Sequence, residues 1–184
     1  MRWMHNMLVV LLIGLVGWNP LHGQTIDYTN ETEIGVMWSE ANFFSPVAAM
    51  VQTFHGVQFD RILSMGLSVG LDEYFGLHLV PIAVGGRAVL PCKRVSPHFA
   101  INVGYGFTWL EEKAASEWHD GGMVFHPAIG LRWKAGGKDR YLVNIGYKRQ
   151  QVAEHNADAM WGPDSFHTAR YSLNRMTVSF GMIF

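Results

Sequence analysis

The sequence is short of cysteine, of net charge and of long hydrophobic runs, and each shortage closes off a class of protein. A single cysteine, Cys92, cannot form an internal disulfide, so the chain is no disulfide scaffold. Lys and Arg number 14 against 15 Asp and Glu, which leaves no basic footprint for nucleic acid. After residue 24 no apolar run approaches the roughly 18–20 residues that a spanning helix needs. A membrane anchor of helical type is therefore excluded from that part of the chain.

What is present begins with the leader. Arg2 precedes an apolar stretch over Met7–Gly17 and a small residue at Gly23. That pattern predicts a secretory signal peptide over residues 1–23. No cysteine lies near the cleavage region, so a lipoprotein is not expected. Removing 23 of the 184 residues leaves 161, the size of one domain over 24–184. One basic residue leaves with the leader, so the remainder carries 13 basic and 15 acidic residues.

The dominant signal is period-two alternation. In Met176–Phe184, Met176, Val178, Phe180, Met182 and Phe184 share one parity, opposed by Thr177, Ser179, Gly181 and Ile183. A greasy strand at the very end of a soluble chain would be an aggregation edge. A closed barrel in lipid pairs every edge and turns the greasy face to acyl chains. Phe99–Trp109 is cleaner still: Phe99, Ile101, Val103, Tyr105, Phe107 and Trp109 oppose Ala100, Asn102, Gly104, Gly106 and Thr108. Ten steps of roughly 3.3 Å give about 33 Å of strand. Tilted by about 40°, it covers about 25 Å, the height of the apolar band of a membrane barrel.

The same parity predicts Leu63–Leu71, His78–Leu90, Met123–Trp133 and Tyr141–Arg149 as strands. Glu33–Ser39, Val47–Gln58 and Tyr171–Phe184 bring the total to eight. Glycines inside these runs mark close backbone approach on a narrow inner side. Pro81 and Pro127 interrupt two runs and predict bulges or local defects. Short turns near Asp60, over Pro91–Pro97 and at Ala135–Asp139 alternate with longer connections at Glu40–Pro46, Asp72–Leu77, Glu111–Gly121 and Gln151–Arg170. The expected fold is an all-β, eight-stranded antiparallel transmembrane up-and-down β-barrel, with short turns and both termini on the periplasmic side. A soluble lipocalin-like barrel needs the opposite parity.

Several segments carry a resemblance. Gly66–Asp72 followed by Pro81, Gly121–Gly130, Asn144–Gln150, Asn174–Met176 and the final Gly181–Phe184 resemble small outer-membrane β-barrel proteins of Bacteroidetes-type bacteria, over roughly residues 50–184. The resemblance implies a barrel akin to the OmpA/OmpX type in the bacterial cell outer membrane. It also implies that Phe180, Met182 and terminal Phe184 form the signal read by the barrel-assembly machinery.

Parity turns Arg87, Asn102, His126, Arg132, Asn144, Lys148 and Arg175 inward. Charges away from bulk water must be paired, and Asp72 and Glu33 are candidate partners. The expectation is a polar network plugging the lumen rather than a conducting path, because eight strands leave room only for side chains. No cofactor or metal is expected: Glu117, His119, Asp120, Glu154, His155, Asp158, Asp164 and His167 show no tight ligand spacing. Cys92 is expected to be an incidental turn residue.

The leading function is a non-enzymatic outer-membrane barrel with a structural or surface-interaction role. The alternative is a hydrolase that modifies lipid A. His126-Pro127-Ala128 has no nucleophile where such an enzyme needs a hydroxyl near an imidazole. Asp164-Ser165-Phe166-His167 has the residue types, but local adjacency is not triad geometry. Outer-membrane lipid and lipopolysaccharide are the expected surroundings. The loops over 111–121 and 151–170, with Trp118, Met160, Trp161 and Phe166, either pack over the barrel mouth or meet an extracellular partner.

Overall fold

The computed structural model describes residues 27–40, 46–59, 61–74, 77–108, 117–136, 139–157 and 166–184. The leader over 1–23 lies outside them, as do Trp109, Met160, Trp161, Asp164 and Ser165. The strands are β1 (Asp27–Trp38), β2 (Val47–Gln58), β3 (Leu63–Tyr74), β4 (Leu77–Val89), β5 (Val95–Thr108), β6 (Glu117–Asp120), β7 (Gly122–Gly136), β8 (Asp139–Ala157) and β9 (Phe166–Ile183).

From β1 to β5 each strand pairs antiparallel with the next, β5 then pairs with β7, β7 with β8 and β8 with β9, and β9 returns to β1, so the sheet closes. The four-residue β6 pairs with β8 beyond the end of β7, so the two form one wall broken at Gly121. The register slips there by one residue: Asp120 faces Ala153, whereas Val124 faces Gln150. Eight walls result.

The stagger of those walls sets the shape. From Asp27 the pairing runs through Gln58, Ser64, Arg87, Ala100, Ala128, Gly146 and Thr177, then returns to β1 at Met37. The shear is therefore 37 − 27 = 10 residues. Ten residues of about 3.3 Å against eight strands about 4.8 Å apart give a tilt of about 40°. At that size the bore is filled by side chains.

Burial alternates as a membrane barrel requires. On β8, Leu142, Asn144, Lys148 and Gln150 are buried while Val143, Ile145 and Tyr147 face out. On β9, Arg175, Thr177, Ser179 and Ile183 point inward, and Met176, Phe180 and Phe184 outward. Pro81 and Pro127 are local defects and not bulges. Each lacks ladder partners on one side, but the register is the same on both flanks of the gap.

Three expectations need correction. Gln151–Arg170 is not wholly loop: β8 continues to Ala157 and β9 begins at Phe166, a paired extension beyond the greasy belt. Gln151 and Arg170 face out there while Val152 is buried, so the greasy outer face is lost although the ladder continues. Likewise β1 starts at Asp27, not Glu33. The lumen is also not polar throughout. At the loop end Met37, Met50, Tyr74, Leu77, Leu79, Val152 and Leu173 form a buried apolar cluster.

Candidate functional site

The interior is built from inward positions on all eight walls. Nearest the turn end, Arg87 on β4 donates through Nε to Glu31 Oε2 on β1 at 2.8 Å. Its Nη1 donates to Asn102 Oδ1 at 2.9 Å, and Asn102 Nδ2 donates to Gln52 Oε1 at 3.4 Å. The guanidinium also lies 4.0 Å from the centre of the Phe54 ring, a cation–π contact. That ring lies against a glycine row, since Gly56, Gly66 and Gly85 are cross-strand neighbours. A Cβ on Gly56 would sit 2.5 Å from Phe54 Cζ, and one on Gly85 3.0 Å from Cε2. Only glycine leaves the space that the buried ring occupies.

Glu31 also faces His98 Nε2 at 3.4 Å, from β5. His98 Nδ1 meets Asn144 Oδ1 at 3.1 Å, and Asn144 Nδ2 donates to Glu33 Oε2 at 2.9 Å. The Ser179 hydroxyl donates to the same carboxylate at 2.5 Å. Higher up, His126 Nε2 pairs with Thr177 Oγ1 at 3.2 Å. Lys148 Nζ then reaches across to both oxygens of Asp72, at 2.7 and 2.5 Å. Arg175 stacks its guanidinium 4.9 Å from the Tyr74 ring centre and donates to the Pro46 carbonyl.

These contacts cross the bore. In the eight-wall order β1 stands opposite β5, and β3 opposite β8. Glu31–His98 and Asp72–Lys148 therefore join diametrically facing walls at two heights. The buried charges also balance: Arg87, Lys148 and Arg175 against Glu31, Glu33 and Asp72, with His98 and His126 beside them. A buried charge without a partner costs several kcal/mol, so balance is a condition of the fold.

Of the seven inward residues expected from parity, six join these contacts. Arg132 does not. It is half-buried at the turn-end mouth, in a cavity of about 480 Å³ lined by Arg61, Lys93, Arg94, Arg132, Lys134 and Arg140, with Asp27 its one acidic residue. Cys92 lines the same mouth as an exposed turn thiol. Sequence reasoning missed Glu31, which shares Glu33's parity two residues earlier, and His98, one residue before the strand start chosen from alternation.

At the loop end the Trp118 indole stacks on the His155 ring, centroids 4.9 Å apart, and His155 Nε2 lies 3.0 Å from Asp120. Asp164 and Ser165 fall outside the described residues, and His167 is exposed on β9. Among the described residues no three His, Cys, Asp or Glu side chains converge as metal ligands.

No protein-family model matches this chain, and no curated protein matches it. Its likeness is to solved outer-membrane barrels. The outer membrane protein AlkL, determined by solid-state NMR in lipid bilayers, shares 11% identity at a TM-score of 0.56, over 90% of this chain and 92% of that one. OprG from Pseudomonas aeruginosa shares 8% at 0.54, over 87% and 95%. The fold is that of a small transmembrane outer-membrane β-barrel.

Proposed function

We propose that this chain is a non-conducting, non-enzymatic barrel of the bacterial outer membrane that works through its ends in a structural or surface-interaction role. The observation that carries it is the pair of diametric bridges, Glu31–His98 and Asp72–Lys148, beneath an apolar cap. Side chains from facing walls meet, so an aqueous path has no room between them. The resemblance to small barrels of Bacteroidetes-type bacteria supports the same placement, with Phe180, Met182 and Phe184 as the assembly signal.

The ends differ in what they offer. The turn-end mouth gathers six cations around a concavity, a surface suited to anionic groups on the periplasmic side. The loop-end segments carry Glu111, Glu112, Glu117, Asp120, Glu154, Asp158 and Asp164 and suit a cationic or cation-bridged partner.

Planar-bilayer recording on the purified full chain tests the central element. Current indistinguishable from the protein-free bilayer is expected; stepwise ion conductance would overturn the closed-lumen function. Incubation with lipopolysaccharide is expected to release no fatty acid, and release would favour the lipid A hydrolase instead.

A further inference from the structure

From β3 round to β9 the outer wall is apolar at mid-height, but β1 and β2 break that rule. Their outward positions carry Asn30, Thr32, Thr53 and His55. Asn30 lies directly opposite His55 in the ladder, and Thr32 directly opposite Thr53. The four side chains bond to one another. Asn30 Nδ2 reaches Thr53 Oγ1 at 3.3 Å and His55 Nδ1 at 3.1 Å. The Thr32 hydroxyl donates to Asn30 Oδ1 at 3.3 Å, and Thr53 Oγ1 meets His55 Nε2 at 3.1 Å. Below them the Tyr28 hydroxyl meets His55 Nδ1 at 2.5 Å.

The island is not at the rim of the greasy belt. Ile34 and Val51, themselves paired, lie above it, and Val57 lies below. Tyr28 marks the aromatic girdle at the turn end. Four residues further along a strand tilted by about 40°, Thr32 stands about 10 Å deeper in the membrane. Acyl chains at that depth offer neither donors nor acceptors, and lipid headgroups do not reach it. Polar side chains so placed ordinarily face protein.

The geometry points to the β1–β2 outer face as the contact between two copies of this chain in the membrane. A second copy is the occupant that the composition fits. The patch holds no carboxylate, lysine or arginine, so it calls for no oppositely charged partner. Its amide, hydroxyls and imidazole both donate and accept, so the same patch turned about a two-fold axis offers matching groups, as an isologous interface requires. Ile34, Val57, Leu67 and Phe180 supply an apolar surround on β1, β2 and the two flanking strands. The barrel has no free edge, so contact is face to face. Interhelical polar contacts in membranes are individually modest, and the same scale implies a reversible pair here.

The proposal rests on the barrel spanning a bilayer and is independent of whether the lumen conducts. Its test uses the full chain with Cys92→Ala, which removes the one thiol. A single cysteine is then placed at Thr53 or at Ile129, which points outward from β7 on the opposite wall. Each protein is reconstituted in phosphatidylcholine vesicles, diluted with lipid and oxidised. Disulfide-linked dimer at Thr53→Cys should exceed that at Ile129→Cys by about tenfold or more, the scale of an affinity difference of about 1.4 kcal/mol. Equal yields, or none at Thr53→Cys, would overturn the pairing. In a second arm Asn30→Leu, Thr53→Val and His55→Leu are combined, with folding checked by heat-modifiable gel migration. Loss of dimer from a folded barrel supports the interface. A folded variant that stays dimeric, or a native protein that is monomeric with an amphiphile bound at the patch, contradicts it.

Discussion

The inner and outer walls of this barrel use the same strands and the same backbone, yet they follow opposite chemistry. Inside, three cations and three carboxylates are buried in equal number, and the glycine row leaves room for Phe54 against Arg87. Outside, mid-height positions on six walls carry no charge at all. The difference follows from the solvent on each side. Acyl chains reward large apolar side chains, while a bore of this width rewards small residues and polar ones that meet across it. The apolar cap is the exception inside and the Asn30–His55 island the exception outside. Each lies where a local partner replaces the general rule.

The largest effect should come from breaking the inner balance. Glu31→Ala strips Arg87 and His98 of their shared carboxylate and should cost about 3–5 kcal/mol. Urea unfolding in lipid vesicles reads it as a lower midpoint, and the double variant Glu31→Ala with Arg87→Met should recover much of the loss. If Glu31→Ala is neutral, water or ions reach Arg87. The reverse intrusion, Ile129→Lys on the outer wall, should cost about 2–4 kcal/mol by the same assay, because it places a charge near mid-bilayer. A neutral result would mean that this wall is not in lipid. The smallest effect is expected at the mouth. Lys134 and Arg140 face each other directly across β7 and β8, and like charges so placed repel. Lys134→Glu should stabilise by about 0.2–1 kcal/mol, less at high salt.

How much of this was legible in the sequence follows the same division. Where the outer wall is apolar, alternation alone located β3, β5, β7 and the end of β9, and it turned Arg87, Asn102, His126, Asn144, Lys148 and Arg175 inward. Where the outer wall is polar, alternation lost the start of β1. Asp27–Thr32 carries Tyr28, Asn30 and Thr32 outward, so no greasy face announced that β1 had begun. Thr53 and His55 also face out of β2, yet Val47, Ala49 and Val51 still marked that strand, and its bounds are those expected, Val47–Gln58. Past the belt β8 and β9 turn Gln151, Arg170 and Ser172 outward in place of a greasy face, and only the ladder reveals the extension. Arg132 has the right parity but the wrong height. Parity reports which side a residue faces and not how far along the bore it lies. The crossing partners depend on the shear of ten, which no local pattern encodes. Glu31 with His98, and Asp72 with Lys148, could be matched only once the barrel had closed.

Cysteine accessibility separates a closed lumen inside a lipid-facing wall from an open bore. In vesicles, native Cys92 is the exposed reference, and Asn144→Cys and Ile145→Cys are adjacent residues on opposite sides of β8, each made with Cys92→Ala. With the lumen closed, a water-soluble maleimide labels Cys92 readily and neither β8 cysteine, while a lipid-soluble maleimide labels only the cysteine at 145 of that pair. Water-soluble labelling at position 144 as fast as at Cys92, in a protein shown to be folded, would mean an open bore and would contradict the closed lumen.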